Sequence, residues 1–467
     1  MRLRQPDIKP PTKSPTAMQH DITDLSDRHL LIGAGPCGLG TARGLMEEGV
    51  AYDHVEADEE VGGNWFHGVY PSAHIISSKK ITEYPGYPMP DHYPDFPSAQ
   101  NMLDYYIDYA KHFGLYDNIE FRTRVDYIRP VEDNKWEVTL STGERRLYGG
   151  VLMANGHHWH RKWPKYEGMD TFEGEVMHSK DYKRREQVAG RKVVVVGGGN
   201  SACDLASESA RLGEKAYISM RSGVWFLPKT FLGKPLADSP FATWPVWFQR
   251  GLLKVVLKLV QGDWSDYGLP DPDHKPYEKH PTLGSEVLHY IKHGRLTPKP
   301  AIRRLDGKFV EFEDGSRVEA DLLACATGYH LSYPFLPKEL QRVEGTVAQV
   351  YGWSMLEDYQ GLYYLGWYQF RGGVGQVFEP YGRLVAKHIK LQQELTVPVG
   401  EVMKERGDKI RETHLVDPYE VIKGVARDVK RYDRFSDYAR GYASTQPVHM
   451  NEPIEAPVEV KELVEVF

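Results

Sequence analysis

The feature that most restricts how this chain can fold is a short plan that it carries twice. His29–Ile32 is an apolar run leading into Gly33-Ala34-Gly35-Pro36-Cys37-Gly38. A helix-like stretch from Leu39 to Glu48 follows, and then a second apolar run, Tyr52 to Val55, ends at Glu56. Each position has a physical task. Gly33 permits a tight turn, Gly35 (followed by Pro36) lets the backbone approach a pyrophosphate, and Gly38 lets the helix pack on the strand. The helix N-terminus attracts the phosphates. Glu56 stands at about 20 residues' distance, where a carboxylate accepts from a ribose hydroxyl.

The second copy begins at Lys192. Val193 to Val196 reads as a buried parallel strand, followed by Gly197-Gly198-Gly199-Asn200-Ser201-Ala202. Alanine serves at the third position because only helix–strand packing is at stake there. The next strand, Ala216 to Met220, ends in Arg221-Ser222 instead of an acid. A guanidinium and a hydroxyl can bind a 2′-phosphate that a carboxylate would repel. The first copy therefore reads as a site for FAD, and the second as a site for NADPH.

Both copies close alike. Trp136–Leu140 and Arg146–Met153 read as a hairpin leading to Ala154-Asn155-Gly156-His157. Phe309–Phe312 and Val318–Ala324 lead to Ala326-Thr327-Gly328-Tyr329. A repeat this long means duplicated domains. The expected fold is α/β, with two nested Rossmann-like dinucleotide-binding domains. The FAD domain comprises 27–182 and 326–445. The NADPH domain, 183–325, is inserted into it and itself carries an aromatic, amphipathic insertion over about 225–285. The chain would cross near Tyr182 and return near Ala326. Residues 1–26 read as a polar, disordered arm, and 446–467 as an acidic tail.

Composition narrows the function class. The 467 residues carry 58 Lys+Arg against 65 Asp+Glu, a net charge of −7 that argues against a nucleic-acid partner. The three cysteines, Cys37, Cys203 and Cys325, lie far apart and form no redox pair, so a reducing compartment is expected. His157, His158 and His160 crowd one loop but lack companion ligands at metal-like spacing, and no metal is expected. In Trp244–Val260, Arg250, Lys254 and Lys258 share one helical face and apolar residues cover the rest. That helix is too short and charged to span a bilayer. It reads as the roof of a substrate channel, or as a basic amphipathic helix on a membrane surface.

Between the glycine motifs, Phe172-x-Gly174-x-x-x-His178-x-x-x-Tyr182 resembles the signature of the flavin-containing monooxygenase family. Gly62-Gly63-Asn64-Trp65, Gly199-Asn200-Ser201 and Ala326-Thr327-Gly328-Tyr329 are similar to further family motifs, as is the Tyr/Pro-rich loop from Tyr84 to Pro97. The resemblance covers about Asp27 to Leu395. It implies a cycle in which NADPH reduces FAD and the reduced flavin captures O2 as a C4a-hydroperoxide. One oxygen then passes to a small amine or sulfide. It also implies cofactor roles for Gly63, Trp65, Ser77 and Thr327. Tyr182 stands where Baeyer–Villiger relatives usually place Trp. That alternative, a ketone oxygenase, remains beside an uncoupled NADPH oxidase or flavoprotein reductase. The chain also departs from the family at one point. Ile75-Ile76-Ser77-Ser78-Lys79 puts Ile76 where the family commonly has an asparagine beside the flavin, so no catalytic side chain is assigned. A cytoplasmic protein is expected; membrane-peripheral contact through 244–260 and a homodimer stay open.

Overall fold

The computed structural model describes residues 22–457, apart from Pro71 and Val374. The first sheet runs Ile119–Glu120, Tyr52–Val55, Ile22–Ile32, Arg145–Met153, Trp136–Leu140, Val125–Pro130. The strand Arg145–Met153 pairs antiparallel with Trp136–Leu140 along its first half and parallel with Leu362–Tyr364 along its second. The sheet thus splits, and the returning chain rejoins it beside the strand that left. Parallel strands buried on both faces need continuous apolar runs, and Leu30, Leu31, Val151 and Leu152 are fully buried.

The second sheet runs Thr297–Lys299, Lys215–Ser219, Lys192–Val196, Leu322–Cys325, Glu175–His178, all parallel. Every strand of it lies, in sequence, between two strands of the first. The α/β expectation of one Rossmann-type unit inside another is what the chain adopts. The linkers that enter and leave the inner unit pair with each other, His160–Arg161 running antiparallel to Tyr329–His330.

Four sequence expectations need correction. The first strand begins at Ile22, because Ile22–Leu25 pair with Arg145–Tyr148, so the end of the supposed arm is sheet; residues 1–21 lie outside the described residues. The crossing precedes Tyr182, since Glu175–His178 already pairs with Leu322–Cys325. Val318–Ala324 is two strands rather than one. Arg317–Glu319 closes a small antiparallel sheet with Phe309–Phe312 and Ile302–Asp306, and the chain then turns at Asp321, whose carboxylate accepts from the Lys192 amide at 2.8 Å. The start of the acidic tail is docked: Asn451 is buried, donating to the Gln360 carbonyl at 2.9 Å and accepting from the Gln360 amide at 2.9 Å. Residues 458–467 lie outside the described residues.

Candidate active site

The first glycine turn is held by contacts that leave no room for a side chain. Gly33 sits at φ +94°, and a Cβ on Gly38 would come within 1.8 Å of the Gly33 carbonyl. The helix Pro36–Glu48 starts at the turn with proline in its first turn, where no amide partner is lost. Glu56 is buried at the end of the next strand. Its Oε2 accepts from the Ala34 amide at 2.5 Å and its Oε1 from the Asp58 amide at 2.9 Å. Burial, opposed by these amides, raises its pKa. Each carboxylate oxygen keeps acceptor capacity for a further hydroxyl.

This turn opens into a cavity of about 780 Å³. Of the sequence candidates, Gly33, Gly35, Pro36, Glu56, Gly63, Trp65, Ile76 and Ser77 line it. Gly38 lies beneath, against the Gly33 carbonyl. Two glycine backbones form its narrow floor: a Cβ on Gly63 would meet the Gly35 Cα at 3.0 Å. Three polar atoms of cavity-lining residues, Asn155 Oδ1, His157 Nε2 and Tyr106 Oη, are buried without a partner in the protein. Buried polar atoms are almost always paired. A dinucleotide that brings hydroxyls, carbonyls and ring nitrogens fits this donor and acceptor set. Sequence reasoning weighed His157 only within the histidine-rich loop and passed over Asn155 and Tyr106, although Asn155 stands in the closing segment it had marked. Cys37 also lines the cavity, and burial pushes its thiol up to about 12, which leaves no thiolate for flavin–thiol chemistry.

The second turn is built differently. Gly197 has φ +132°, and a Cβ there would meet the Ala326 carbonyl at 2.4 Å, whereas a Cβ on Gly199 would meet nothing within 4 Å. Asn200, at the start of the helix Asn200–Leu212, ties the turn to the insertion. Its Nδ2 donates to the Pro281 carbonyl at 3.2 Å and its Oδ1 accepts from the Leu283 amide at 2.8 Å. Thr282 Oγ1 donates to the Gly198 carbonyl at 3.0 Å. Ser201 follows on the same helix, and Arg221, with Ser222 after it, is exposed beyond the strand Lys215–Ser219. Thr327 Oγ1 donates to the Lys162 carbonyl, across the paired linkers.

The signature residues occupy the junction between the two units. Phe172 packs its ring so closely on Gly174 that a Cβ there would sit 2.6 Å from it. Both ring nitrogens of the buried His178 are engaged: Nδ1 accepts from the Lys180 amide at 3.2 Å, so Nε2 carries the proton toward the Gly328 carbonyl at 3.1 Å. Burial lowers its pKa. Engaged at both ring nitrogens, His178 ties the Lys180 backbone to the Gly328 carbonyl between the two units. Tyr182 is buried beside Tyr70, ring centroids 6.1 Å apart. Lys180, within the signature, donates to Asn64 Oδ1 at 3.1 Å and the His158 carbonyl at 3.3 Å. It therefore clamps the Gly63–Trp65 loop to the linker. The histidine-rich loop lines the large cavity through His157 and His158, and no cluster of metal-ligating residues occurs among the described residues.

A second, smaller cavity of about 110 Å³ adjoins the first. Ile76, Ser77, Arg371 and Gly372 belong to the walls of both. The helix Val246–Gln261 roofs the smaller one through Leu252, Leu253, Val256 and Leu257, so the insertion is a chamber wall. Ile76, the departure from the family pattern, packs with Leu227, Leu257 and Leu283. It is an apolar partition between the chamber and the dinucleotide cavity.

The sequence profile of a family described as flavin-binding monooxygenase-like matches residues 26–418. The chain belongs to that family. Among curated relatives it is 32% identical to the human "Flavin-containing monooxygenase 5" over 349 residues, 69% of this chain and 65% of that protein. It is 34% identical to the Arabidopsis thaliana "Probable indole-3-pyruvate monooxygenase YUCCA9" over 319 residues, 65% of this chain and 75% of that one. The match thus spans 65% of the human relative's length. Among solved structures, a flavin-containing monooxygenase from Stenotrophomonas maltophilia superposes with a TM-score of 0.62 at 20% identity, covering 80% of this chain and all of that one. Cyclohexanone monooxygenase from Rhodococcus sp. Phi1, bound to NADP+, gives 0.70 at 16% identity over 89% and 99%. At these identities the two structures speak to the fold alone. The large cavity at the first glycine turn has the volume and the unpaired polar atoms to hold a dinucleotide.

Proposed function

We propose that this protein is an FAD- and NADPH-dependent monooxygenase that places one oxygen atom from O2 on a soft nitrogen or sulfur nucleophile of a small molecule. The observation that carries the reading is the shared wall. A dinucleotide-sized cavity with orphaned polar atoms meets a separate apolar chamber at Ile76, Ser77, Arg371 and Gly372. Bound FAD, reduced by NADPH, would supply the oxygen-activating chemistry.

The chain's own residues bind, orient and exclude water. Gly33, Gly35, Pro36, Gly63 and Trp65 cradle the flavin dinucleotide and Glu56 accepts from its ribose. Gly197, Gly199, Ser201 and Arg221, with Ser222, receive the NADPH phosphates. Thr327, Phe172, Gly174, His178 and Tyr182 hold the two units in register. Ile76 and the insertion helix keep water from the reacting face, because water admitted there opens a route to peroxide. The test is stoichiometry: with FAD loaded and thioanisole supplied, NADPH consumed should appear as sulfoxide. Hydrogen peroxide equal to NADPH, whatever substrate is offered, would overturn the reading in favour of an oxidase; lactone from a ketone, with no sulfoxide, would favour Baeyer–Villiger chemistry.

The outer face of the insertion helix supports a second, peripheral role on anionic lipid. Trp247, 74% exposed, shares the outer face with Lys254 and Lys258, and Leu259 and Val260, 80% and 76% exposed, stand at the C-terminal end of the helix beyond the chamber wall. Among the described residues no helix is long and apolar enough to cross a membrane. Co-sedimentation with phosphatidylserine vesicles, abolished by Trp247→Glu together with Leu259→Glu, is expected. Absence of sedimentation with a dimer by light scattering would assign that face to a second copy instead.

A further inference from the structure

The small chamber has a property that bears on which nucleophile it admits: it offers no free charge. Asp417 and Arg371, the acid and base in its wall, are paired with each other, and each side chain is only 10% exposed. Asp417 is occupied a second time. Its Oδ1 accepts from the Tyr419 and Glu420 amides at 2.8 and 3.2 Å, capping the helix Pro418–Lys430. The Arg371 guanidinium carbon stands over the Tyr277 ring, 4.5 Å from its centroid. Three neutral polar groups of the wall are committed as well. Gln249 Nε2 donates to the Trp244 carbonyl at 2.6 Å, Tyr419 Oη donates to the Ala237 carbonyl at 3.0 Å, and Ser77 Oγ meets Thr82 Oγ1 at 2.9 Å. The remaining wall is aliphatic and aromatic.

An ion entering such a chamber would lose its hydration and find no counter-charge. The volume, about 110 Å³, is close to that of an apolar cavity of about 150 Å³ that stays dry and accepts a benzene ring. We propose that this chamber selects uncharged substrates with a single-ring or short-alkyl body, thioethers and arylamines, and rejects protonated alkylamines. This deepens the monooxygenase reading and rests on it for the reaction, though not for the binding. Charge, rather than the identity of the reacting atom, sets the preference. An alkylammonium of lysine-like pKa, about 10.4, is uncharged in only about one molecule per thousand at pH 7.4. Its apparent affinity should therefore rise about tenfold per pH unit below that pKa.

Two ligands of nearly equal shape separate charge from size: N,N-dimethylaniline, neutral at pH 7.4, and N,N-dimethylcyclohexylamine, cationic there. Dissociation constants are read without turnover, from the change in flavin absorbance of the FAD-loaded protein, with thioanisole as the sulfur control. The cyclohexylamine should bind at least a hundredfold more weakly than the aniline at pH 7.4. It should tighten about tenfold per unit between pH 7 and 9, while the aniline and thioanisole stay flat. Equal affinities at pH 7.4, or a cyclohexylamine affinity independent of pH, would overturn the proposal. Arg371→Met releases Asp417 into the chamber and should narrow the gap at least tenfold. An unchanged gap in a folded, FAD-loaded variant would also count against it, and the wild-type pH series decides alone should the variant not fold. A protein that shows the binding contrast but forms no sulfoxide would sink the monooxygenase reading and leave this inference standing.

Discussion

The two glycine turns share a backbone plan and differ in everything around it. At the first, the acid that ends the second strand is buried, two backbone amides hold it, and the cavity above contains orphaned polar atoms. At the second, the residue in the corresponding place, Arg221, is exposed, and a Cβ on Gly199 would meet only open space. The local polar groups are already spent on the insertion: Asn200 holds Pro281 and Leu283, and Thr282 holds Gly198. The first turn looks onto polar atoms with no partner in the protein, whereas Asn200 and Thr282 at the second are engaged within it. On the proposed reading, that difference is what a resident cofactor and a visiting coenzyme require of the same motif.

The comparison breaks most visibly at its glycines. Gly38→Ala forces a Cβ to within 1.8 Å of the Gly33 carbonyl, a backbone atom that cannot step aside. Overpacking of this kind should cost about 3 kcal/mol, and the purified protein should lose its flavin absorbance and melt early. Gly199→Ala should leave folding and FAD content unchanged, since its Cβ meets nothing in the protein. It should raise the KM for NADPH at least tenfold, because the methyl occupies the approach of the pyrophosphate. If Gly199→Ala also sheds FAD, the two turns are not independent.

The smallest effect concerns the 2′-phosphate. Arg221→Ala should weaken NADPH about tenfold and NADH hardly at all, measured as kcat/KM for each coenzyme. Equal loss for both would show that Arg221 does not read the phosphate.

What could be read from the chain was whatever chain order and short-range backbone sterics carry, the duplicated plan and its motifs. The glycine spacings, Glu56 and the exchange of acid for Arg221 are local, and their geometry follows from sterics that neighbouring residues impose. The chamber is not local. Its wall draws on Ile76 and Ile81, on Leu227 to Leu283, on Arg371 and on Asp417 to Tyr419, four stretches that meet only after both units have folded. From sequence, Ile76 reads as the loss of an asparagine; in the structure it has gained Leu227, Leu257 and Leu283 as neighbours. The strand Glu175–His178 was hidden for a related reason. Its partner, Leu322–Cys325, is far along the chain, and four residues are too few to show a period. The docking of Asn451 against Gln360 and Asn134 likewise joins segments far apart in sequence.

The account stands on the claim that the apolar chamber delivers a nucleophile to a flavin seated at the first glycine turn. The most direct measurement is the balance of NADPH oxidised, O2 consumed and sulfoxide formed, with thioanisole saturating and peroxide assayed in parallel. The account predicts about one of each with little peroxide. Peroxide matching NADPH mole for mole, with thioanisole recovered intact, would contradict it.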